Sequence, residues 1–194
     1  MSSDNGYRVY LAGELFDAKH LAGNVLLAEA IEAESNGRFR VVLPQDLELP
    51  SMEPKTIRDE DFKALLDCDA AIFQFDGCDL DSGTVAEFMA AKFADIPSVL
   101  LRTDFRRGGD RNEQPWNLMC SFYPRTKSLV VDAMGAYAEA RNRGVEGGRG
   151  CVDSAMADVA RGVVERLDAC MALPKLDGLK DDERMKWVKA SLGI

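Results

Sequence analysis

Residues 67–106 read DCDAAIFQFDGCDLDSGTVAEFMAAKFADIPSVLLRTDFR, and this stretch decides the fold. AAIFQF at 70–75 is a short apolar run of strand length, and SVLL at 98–101 is a second such run. Between them, DSGT predicts the start of a helix, because Asp81 or Ser82 can cap the free backbone N–H groups of a first turn. The stretch therefore predicts a strand, a polar loop, a helix and another strand, in that order.

The predicted helix carries a glutamate, Glu87, nearly two turns from its start. Alanines follow it at 90, 91 and 94, and this spacing places them on the same helix face as the carboxylate. A carboxylate that heads a stripe of alanines can lie where the helix packs closely against another element. We therefore expect the surroundings of Glu87 to be partly dry.

Several carboxylates are expected at one edge of the sheet. In open α/β sheets ligands bind beyond the carboxyl ends of the strands, so Asp76, Asp79, Asp81 and Glu87 are predicted to surround a cleft. Two carboxylates in one cleft suit the cleavage of a glycosidic bond: one attacks or stabilises the sugar cation, and the other handles the proton. Alternatively, acidic residues before a helix serve only the helix dipole and solubility.

The remaining sequence repeats the alternation of strand and helix. Further strands are predicted at 8–12, 40–43 and 126–131, and further helices at 21–34, 57–66, 133–141, 152–171 and 182–192. This order predicts an α/β fold with a five-stranded parallel sheet and helices on both faces. RNRGVEGGRG at 141–150 is typical of a linker. We expect one domain over 1–194, with a core at about 7–142 and a helical C-terminal extension at about 151–194.

Composition argues against several classes of partner. The chain has 194 residues, a net charge of −9 and a pI near 4.7, and such a surface repels a phosphate backbone, so no nucleic acid is expected as a partner. No apolar run approaches the roughly 20 residues of a membrane-spanning helix, so no membrane partner is expected either. The first ten residues are polar and acidic, unlike a secretory signal, and a cytoplasmic location is the default expectation.

Cysteine and histidine usage limits the chemistry. The five cysteines show no C-x-x-C spacing and are interpreted as reduced, mostly buried thiols. His20 is the single histidine, so neither a zinc site nor a Ser-His-Asp triad is predicted. No G-x-G-x-x-G follows the first strand. We expect no metal and no organic cofactor, and chemistry carried by carboxylates, hydroxyls and amides.

The loops after the first two strands supply further candidate residues. Gly13 permits a tight turn, and Tyr10 and Phe16 can form a platform for a flat ligand, with plain core packing as the alternative. Gln45 and Asp46 follow the second strand in a proline-rich loop, where they are candidates for contacting a ligand.

These segments, taken together, resemble the nucleoside 2-deoxyribosyltransferase family. The resemblance covers roughly residues 7–131. The matching residues are YLAGELF (10–16), Asp61 eight residues before Asp69, DSGTVAE (81–87), TDFRR (103–107) and PWNLM (115–119). The resemblance implies a flavodoxin-like doubly wound fold and a single domain of that family.

The resemblance also implies roles for four residues. Glu87 matches the family's nucleophile, which attacks C1′ of a 2′-deoxynucleoside and forms a covalent deoxyribosyl-enzyme. Asp61 matches a carboxylate at the base that donates a proton to the leaving nitrogen. Tyr10 matches a tyrosine whose hydroxyl holds the nucleophile, and Asp81 matches a carboxylate near the deoxyribose hydroxyls. The implied reaction is base exchange by double displacement, with retention at C1′.

Substrate-binding residues are implied in the same way. Phe16 matches an aromatic residue beside the base. Asn117 matches a residue that reaches the 5′-hydroxyl from a neighbouring subunit, which implies a homo-oligomer. The expected substrate-binding set is Phe16, Gly13, Gln45, Asp46, Gly83, Asn117 and Met119. The implied partners are 2′-deoxynucleosides and free nucleobases.

Two other functions stay open on the sequence. One is a hydrolase of the same fold that cleaves the N-glycosidic bond of a 2′-deoxynucleoside 5′-monophosphate; the acidic turn GELF opposes a phosphate dianion. The other is a non-catalytic nucleotide-binding module on a flavodoxin-like scaffold. Three carboxylates together with Tyr10 argue against the second, because a binding module has little use for them.

Overall fold

A central sheet of five parallel strands organises the molecule, in the order β2-β1-β3-β4-β5. The structure is a computed structural model that describes residues 6–106, 115–176 and 180–194. The strands are Tyr7–Ala12 (β1), Phe39–Val42 (β2), Ala70–Gln74 (β3), Ser98–Arg102 (β4) and Thr126–Val130 (β5). The predicted doubly wound parallel sheet is confirmed. Arg107 of the TDFRR motif lies outside the described residues.

Helices cover both faces of the sheet, as predicted. They are Ala18–Glu34 (α1), Pro54–Leu66 (α2), Ser82–Phe93 (α3), Ala133–Asn142 (α4), Gly147–Met171 (α5) and Asp181–Leu192 (α6), with short 3₁₀ turns at Pro44–Asp46 and Leu118–Cys120. One core joins α1 and α5 to the sheet, and the other joins α2, α3 and α6 to the opposite face. Alternate residues of β1 enter different cores, because successive side chains of a strand point to opposite faces.

The segment predicted as a linker is partly helical, and that prediction was wrong. Helix α5 begins at Gly147, so the glycine-rich residues GGRG form its first turn. Glycine is a poor helix former, and the local sequence therefore favoured a loop. A Cβ atom at Gly150 would lie 3.1 Å from Cγ1 of Val145, so the missing side chain lets the end of the α4–α5 connection pack closely against the new helix.

The two strands at the centre of the sheet create a crevice at its carboxyl edge. β1 pairs with β3, and the helices that follow them, α1 and α3, lie on opposite faces. Such a switch point opens a gap where ligands bind in doubly wound folds. Gly13 follows β1 here, and a Cβ atom on it would lie 2.7 Å from Oε1 of Gln74. Glycine at this position leaves room for the Gln74 side chain at the switch point.

The C-terminal helix α6 packs on α2 and α3. Val188 is buried in the core of that face. Nη2 of Arg58 on α2 donates to the carbonyl oxygen of Leu192 at 3.1 Å, and Trp187 packs edge-on against Phe93 of α3. The end of the chain therefore lies against the same two helices that carry Asp61 and Glu87. Across the described ranges, no helix combines the length and apolar character needed to cross a bilayer.

Candidate active site

A tyrosine and a glutamate that lie far apart in sequence meet at the carboxyl edge of the sheet. The hydroxyl of Tyr10, near the end of β1, donates a hydrogen bond to Oε1 of Glu87 at 2.7 Å. Tyr10 is completely buried, and Glu87 is mostly buried. The hydrogen bond fixes one carboxyl oxygen of Glu87 and leaves the other available for chemistry.

The start of α3 determines where Glu87 points. Oδ2 of Asp81 accepts hydrogen bonds from the backbone N–H of Thr84 at 2.7 Å and from its hydroxyl at 2.8 Å, so Asp81 is the N-cap. A cap of this kind satisfies N–H groups that have no partner within the helix. A Cβ atom at Gly83 would lie 3.1 Å from the same Asp81 oxygen, so glycine leaves space for the cap. The second turn then presents Glu87 to Tyr10.

Burial raises the proton affinity of two carboxyl groups at this site. Loss of water raises the pKa of Glu87 to about 7, opposed by the Tyr10 hydrogen bond and reinforced by the charges of Asp61 and Asp81. Burial also raises the pKa of Asp61, on α2, to about 6. Since two carboxyl groups that repel each other lose their protons in two steps, the pair holds one proton over an intermediate pH range.

Tyr10 stabilises the ionised form of Glu87. Burial, and then the negative charge of Glu87, raise the pKa of Tyr10 well above its ordinary value, so the phenol keeps its proton and donates it to the hydrogen bond. A donated hydrogen bond stabilises the charged form of a carboxylate. Because the pKa of Glu87 is the higher of the two even with this hydrogen bond, the singly protonated pair carries its proton mainly on Glu87. The Tyr10 hydrogen bond stabilises the other form, in which Glu87 is ionised and Asp61 is protonated, and displacement by Glu87 requires that form.

A cleft of about 400 Å³ opens at the same edge of the sheet, on the face of α1 and α5. The loops after β1, β3 and β4 line it together with α1 and α5. Asp81 lines this cleft, whereas Tyr10, Asp61 and Glu87 do not; they lie on the α2 and α3 face. The cleft and the Tyr10–Glu87 pair therefore flank the switch point from opposite sides, with Asp81 at the cleft.

Two predicted residues of the proline-rich loop are held by other parts of the chain or turned to solvent. Oε1 of Gln45 accepts from Nδ2 of Asn24 at 3.2 Å, and Nε2 of Gln45 donates to the carbonyl oxygen of Leu21 at 3.2 Å. Asp46 is exposed. Sequence reasoning missed Asn24, which is buried and also donates to the carbonyl oxygen of Glu14 at 3.1 Å. The available signal in the sequence was an asparagine on the apolar face of a predicted helix, three residues after Leu21 and four before Ala28, because a polar side chain buried there requires partners.

The residues predicted at the base and at the neighbouring subunit lie on the surface of this chain. The Phe16 side chain is 76% exposed and that of Met119 is 75% exposed. Oδ1 of Asn117 accepts from the backbone N–H of Met119 at 2.8 Å and caps a short 3₁₀ turn. The structure thus brings together Tyr10, Asp61, Asp81 and Glu87, and leaves these three side chains open to solvent.

A buried carboxyl group with a raised pKa makes folding stability depend on pH. The folded protein holds the Glu87 proton more tightly than the unfolded chain does, so this stability is complete below the ordinary value of 4.5 and is lost as pH rises through about 7. Glutamine cannot ionise and still accepts from Tyr10. We expect the stability gain of Glu87→Gln over wild type to increase by about 2 kcal/mol from pH 5 to pH 8, measured by urea unfolding.

The exposed Glu29 on α1 provides the control for that measurement. Glu29→Gln is expected to show the same difference from wild type at both pH values. A difference between Glu87→Gln and wild type that does not change with pH would contradict the burial of a titrating carboxyl group at position 87.

The motifs and the fold agree with comparisons to known proteins. A family model for nucleoside 2-deoxyribosyltransferases matches residues 9–119. A 2-desoxiribosyltransferase from Leishmania mexicana shares the fold, with a TM-score of 0.51 at 19% identity over 70% of this chain and 97% of that one. A search of curated protein sequences gave no match.

Two other solved structures are similar over most of this chain. A conserved protein from Enterococcus faecalis V583 has a TM-score of 0.48 and 19% identity, and the match covers 96% of this chain and 99% of that one. A CMP N-glycosidase from Clostridium botulinum has a TM-score of 0.44 and 15% identity, covering 70% of this chain and 98% of that one.

The family match includes every motif from Tyr10 to Met119 on which the resemblance was based, and it spans more than half of the chain. The observed strand order and the crevice between β1 and β3 agree with it. The protein therefore belongs to the nucleoside 2-deoxyribosyltransferase family.

Proposed function

We propose that this protein is a transferase that exchanges the base of 2′-deoxyribonucleosides through a covalent deoxyribosyl-Glu87 intermediate. The observation that carries the proposal is the hydrogen bond from buried Tyr10 to Glu87, with Asp61 close enough that its charge raises the pKa of Glu87. A mostly buried carboxylate held by a neutral donor, beside a second carboxyl group that can carry the proton of the pair, suits displacement at an anomeric carbon.

The first displacement forms one bond and breaks another. The oxygen of Glu87 that Tyr10 leaves free attacks C1′, and the bond between C1′ and the base nitrogen breaks with its electron pair on the nitrogen. Asp61 gives its proton to that departing base. The developing positive charge on the sugar is stabilised by the negative charge of Glu87, which acts strongly because the site is largely dry.

The second displacement reverses these roles with a different base. A nitrogen of the incoming base attacks C1′, the bond to Glu87 breaks, and Asp61 recovers a proton from that nitrogen. Two displacements on the same carbon retain its configuration. Transfer, rather than hydrolysis, requires the intermediate to persist while one base leaves and another enters, so water has to be kept from C1′.

A second copy of the chain is part of the proposal. Asn117 and Met119 are exposed next to Phe122, whose side chain is 84% exposed. We propose that this surface docks on another subunit and that Asn117 completes the neighbouring site at the sugar 5′-hydroxyl. The expected result is a homo-oligomer in light scattering. Asn117→Ala is then expected to raise KM for the nucleoside without changing the subunit number.

Hydrolysis of a deoxynucleoside 5′-monophosphate is the second candidate, because Lys19, His20 and Arg106 line the cleft beside Asp81. The carboxylates of Glu14 and Asp17 lie 3.3 Å from the His20 ring nitrogens, and Asp104 pairs with Arg106. Within the described part of the chain, Lys19 forms no salt bridge, but its charge interacts with the carboxylate of Asp17. This favours a neutral 5′-hydroxyl over a phosphate dianion.

One assay tests the proposed function and its alternative. Wild-type protein is mixed with deoxyadenosine or deoxyinosine and with free cytosine and adenine, and new nucleosides are followed by chromatography. Base exchange on nucleosides is the expected result. Release of free base from deoxyadenosine monophosphate, without exchange on deoxyadenosine, would establish the hydrolase instead.

A cytoplasmic location is proposed from the thiols. All five cysteines, at 68, 78, 120, 151 and 170, are free in the structure. Reduced cysteines are typical of proteins that work in reducing compartments. Fractionation of the native cells is the direct measurement, and recovery in an oxidising compartment would contradict this location.

A further inference from the structure

A buried arginine at the end of β4 holds two loops of the carboxyl edge. Arg102 is 1% exposed and is one of the largest fully buried side chains among the described residues. Its guanidinium donates to the carbonyl oxygens of Phe75 at 2.6 Å and Gly77 at 2.8 Å, in the loop after β3. It also donates through Nε to the carbonyl oxygen of Arg106 at 3.1 Å, in the loop after β4.

Asp76, in the loop after β3, connects the same two loops by accepting hydrogen bonds from the loop after β4. Oδ1 of Asp76 accepts from the backbone N–H groups of Thr103 at 2.6 Å and Asp104 at 2.9 Å, and Oδ2 accepts from the Thr103 hydroxyl at 2.9 Å. Asp104 in turn accepts from the backbone N–H of Gly77 at 3.3 Å. We call this set of contacts from Arg102 and Asp76 the Arg102–Asp76 clamp.

The clamp is connected to Glu87 by packing and by the chain itself. The ring of Phe75, whose carbonyl Arg102 holds, packs edge-on against Phe88 with centroids 5.8 Å apart, and Phe88 is the residue after Glu87. Gly77 adopts a left-handed conformation with φ of 85°, which side chains other than glycine rarely adopt. From Gly77 the loop leads directly to Asp81, the cap of α3.

Burial of the Arg102 guanidinium lowers the stability of the fold unless its hydrogen bonds compensate for the lost hydration. A charged group loses its hydration on burial, and an apolar side chain of similar volume would avoid that cost. Only a guanidinium provides five N–H donors in a planar fork, which can reach carbonyl oxygens from two separate loops. The side chain therefore serves the mutual placement of the loops better than it serves packing.

We propose that Arg102 and Asp76 are positioning residues for Glu87: the clamp sets the course of the β3–α3 loop, and thereby the place of the α3 cap and of the carboxylate below C1′. This inference rests on the proposed function. A loosened clamp would leave substrate contacts outside it intact but displace the nucleophile. Displacements of about 1 Å at a reacting atom lower rates by about 100-fold.

Arg102→Lys is the first test, because lysine keeps the charge but cannot hold both loops. The matched control is Arg125→Lys, which changes another buried arginine at the amino end of the sheet, where it contacts Asp95. We expect Arg102→Lys to lower kcat between about 10- and 100-fold with KM within about threefold. Arg125→Lys is expected to lower stability and to leave kcat within twofold at temperatures where it is folded.

Amide hydrogen exchange gives a readout that needs no turnover. Arg102→Lys is expected to speed exchange in residues 75–81 and 103–106, and Arg125→Lys is not. Asp76→Ala removes the Asp76 contacts of the clamp. It is the variant to use if Arg102→Lys does not fold.

Two results would overturn the inference: a folded Arg102→Lys protein with kcat within twofold of wild type, or unchanged exchange in both loops. A wild-type protein that exchanges no bases would instead contradict the proposed function, and hydrogen exchange would still decide whether the clamp holds the loops.

Discussion

Glu87→Gln is expected to lower the rate of base exchange by about 10⁴-fold or more, because an amide cannot form and release the covalent bond to C1′. The substitution keeps the size of the side chain and its ability to accept from Tyr10, so the geometry around β1 and α3 is preserved. The measurement is initial-rate transfer from deoxyinosine to free adenine. Rapid quenching and mass spectrometry are expected to detect a deoxyribosyl adduct on the wild-type protein and none on the variant.

Glu29→Gln is the control, since Glu29 is an exposed glutamate on α1, away from the α2 and α3 face. It is expected to transfer bases at the wild-type rate. Exchange by Glu87→Gln within tenfold of wild type would remove Glu87 as the nucleophile. Glu87→Gln is also expected to be more stable than wild type at pH 8. Urea unfolding of the same variant therefore shows whether any loss of activity comes from unfolding.

Asp61→Asn is expected to slow cleavage by about 10³-fold for bases that are poor leaving groups, and much less for good ones. A departing nitrogen with high basicity needs a proton in the transition state, and asparagine has none to give. The measurement is a series of deoxynucleosides whose bases differ in the pKa of the departing nitrogen. Equal slowing across the series would contradict the role of Asp61 as the acid.

The wild-type pH profile tests the same assignment. With pKa values of about 6 for Asp61 and about 7 for Glu87, one proton on the pair is most populated between these values, so a bell-shaped rate profile is expected there. The rate falls at lower pH because both carboxyl groups are then protonated and Glu87 cannot attack, and at higher pH because both are then ionised and no proton is left for the departing base. Asp61→Asn is expected to lose the alkaline limb, whereas Glu60→Gln, next to it on α2, is expected to keep both limbs.

Much of the fold could be predicted because its signals are local. Apolar runs of four to six residues marked the strands, and Asp81 marked the start of α3. Alternation of strands and helices then implied the parallel sheet, since a parallel connection requires a crossover. The prediction failed at 147–150, because glycine propensity favours a loop, whereas helix α5 begins inside this glycine-rich run and packs close to Val145 at Gly150.

The site could be predicted only in part. Glu87, Asp61, Tyr10 and Asp81 were all candidates, but the hydrogen bond between Tyr10 and Glu87 joins residues 77 positions apart. Nothing in the neighbouring sequence showed that Asn24 would engage Gln45, or that Arg102 would hold the loops after β3 and β4. Arg102 ends an apolar strand, and a charged residue there is ordinarily exposed.

The sequence by itself determined which segments become strands and helices, which family the chain belongs to and which carboxylates are available for chemistry. These properties follow from periodicity, caps and motifs, whose free energies are set within a few neighbouring residues. Only the tertiary structure decided which of those carboxyl groups are dry, which one Tyr10 holds, and on which face of the sheet the cleft opens. Burial and Coulomb interactions act between residues that are close in space but distant along the chain, so proton affinities and the position of Glu87 arise only when the sheet and its helices are assembled.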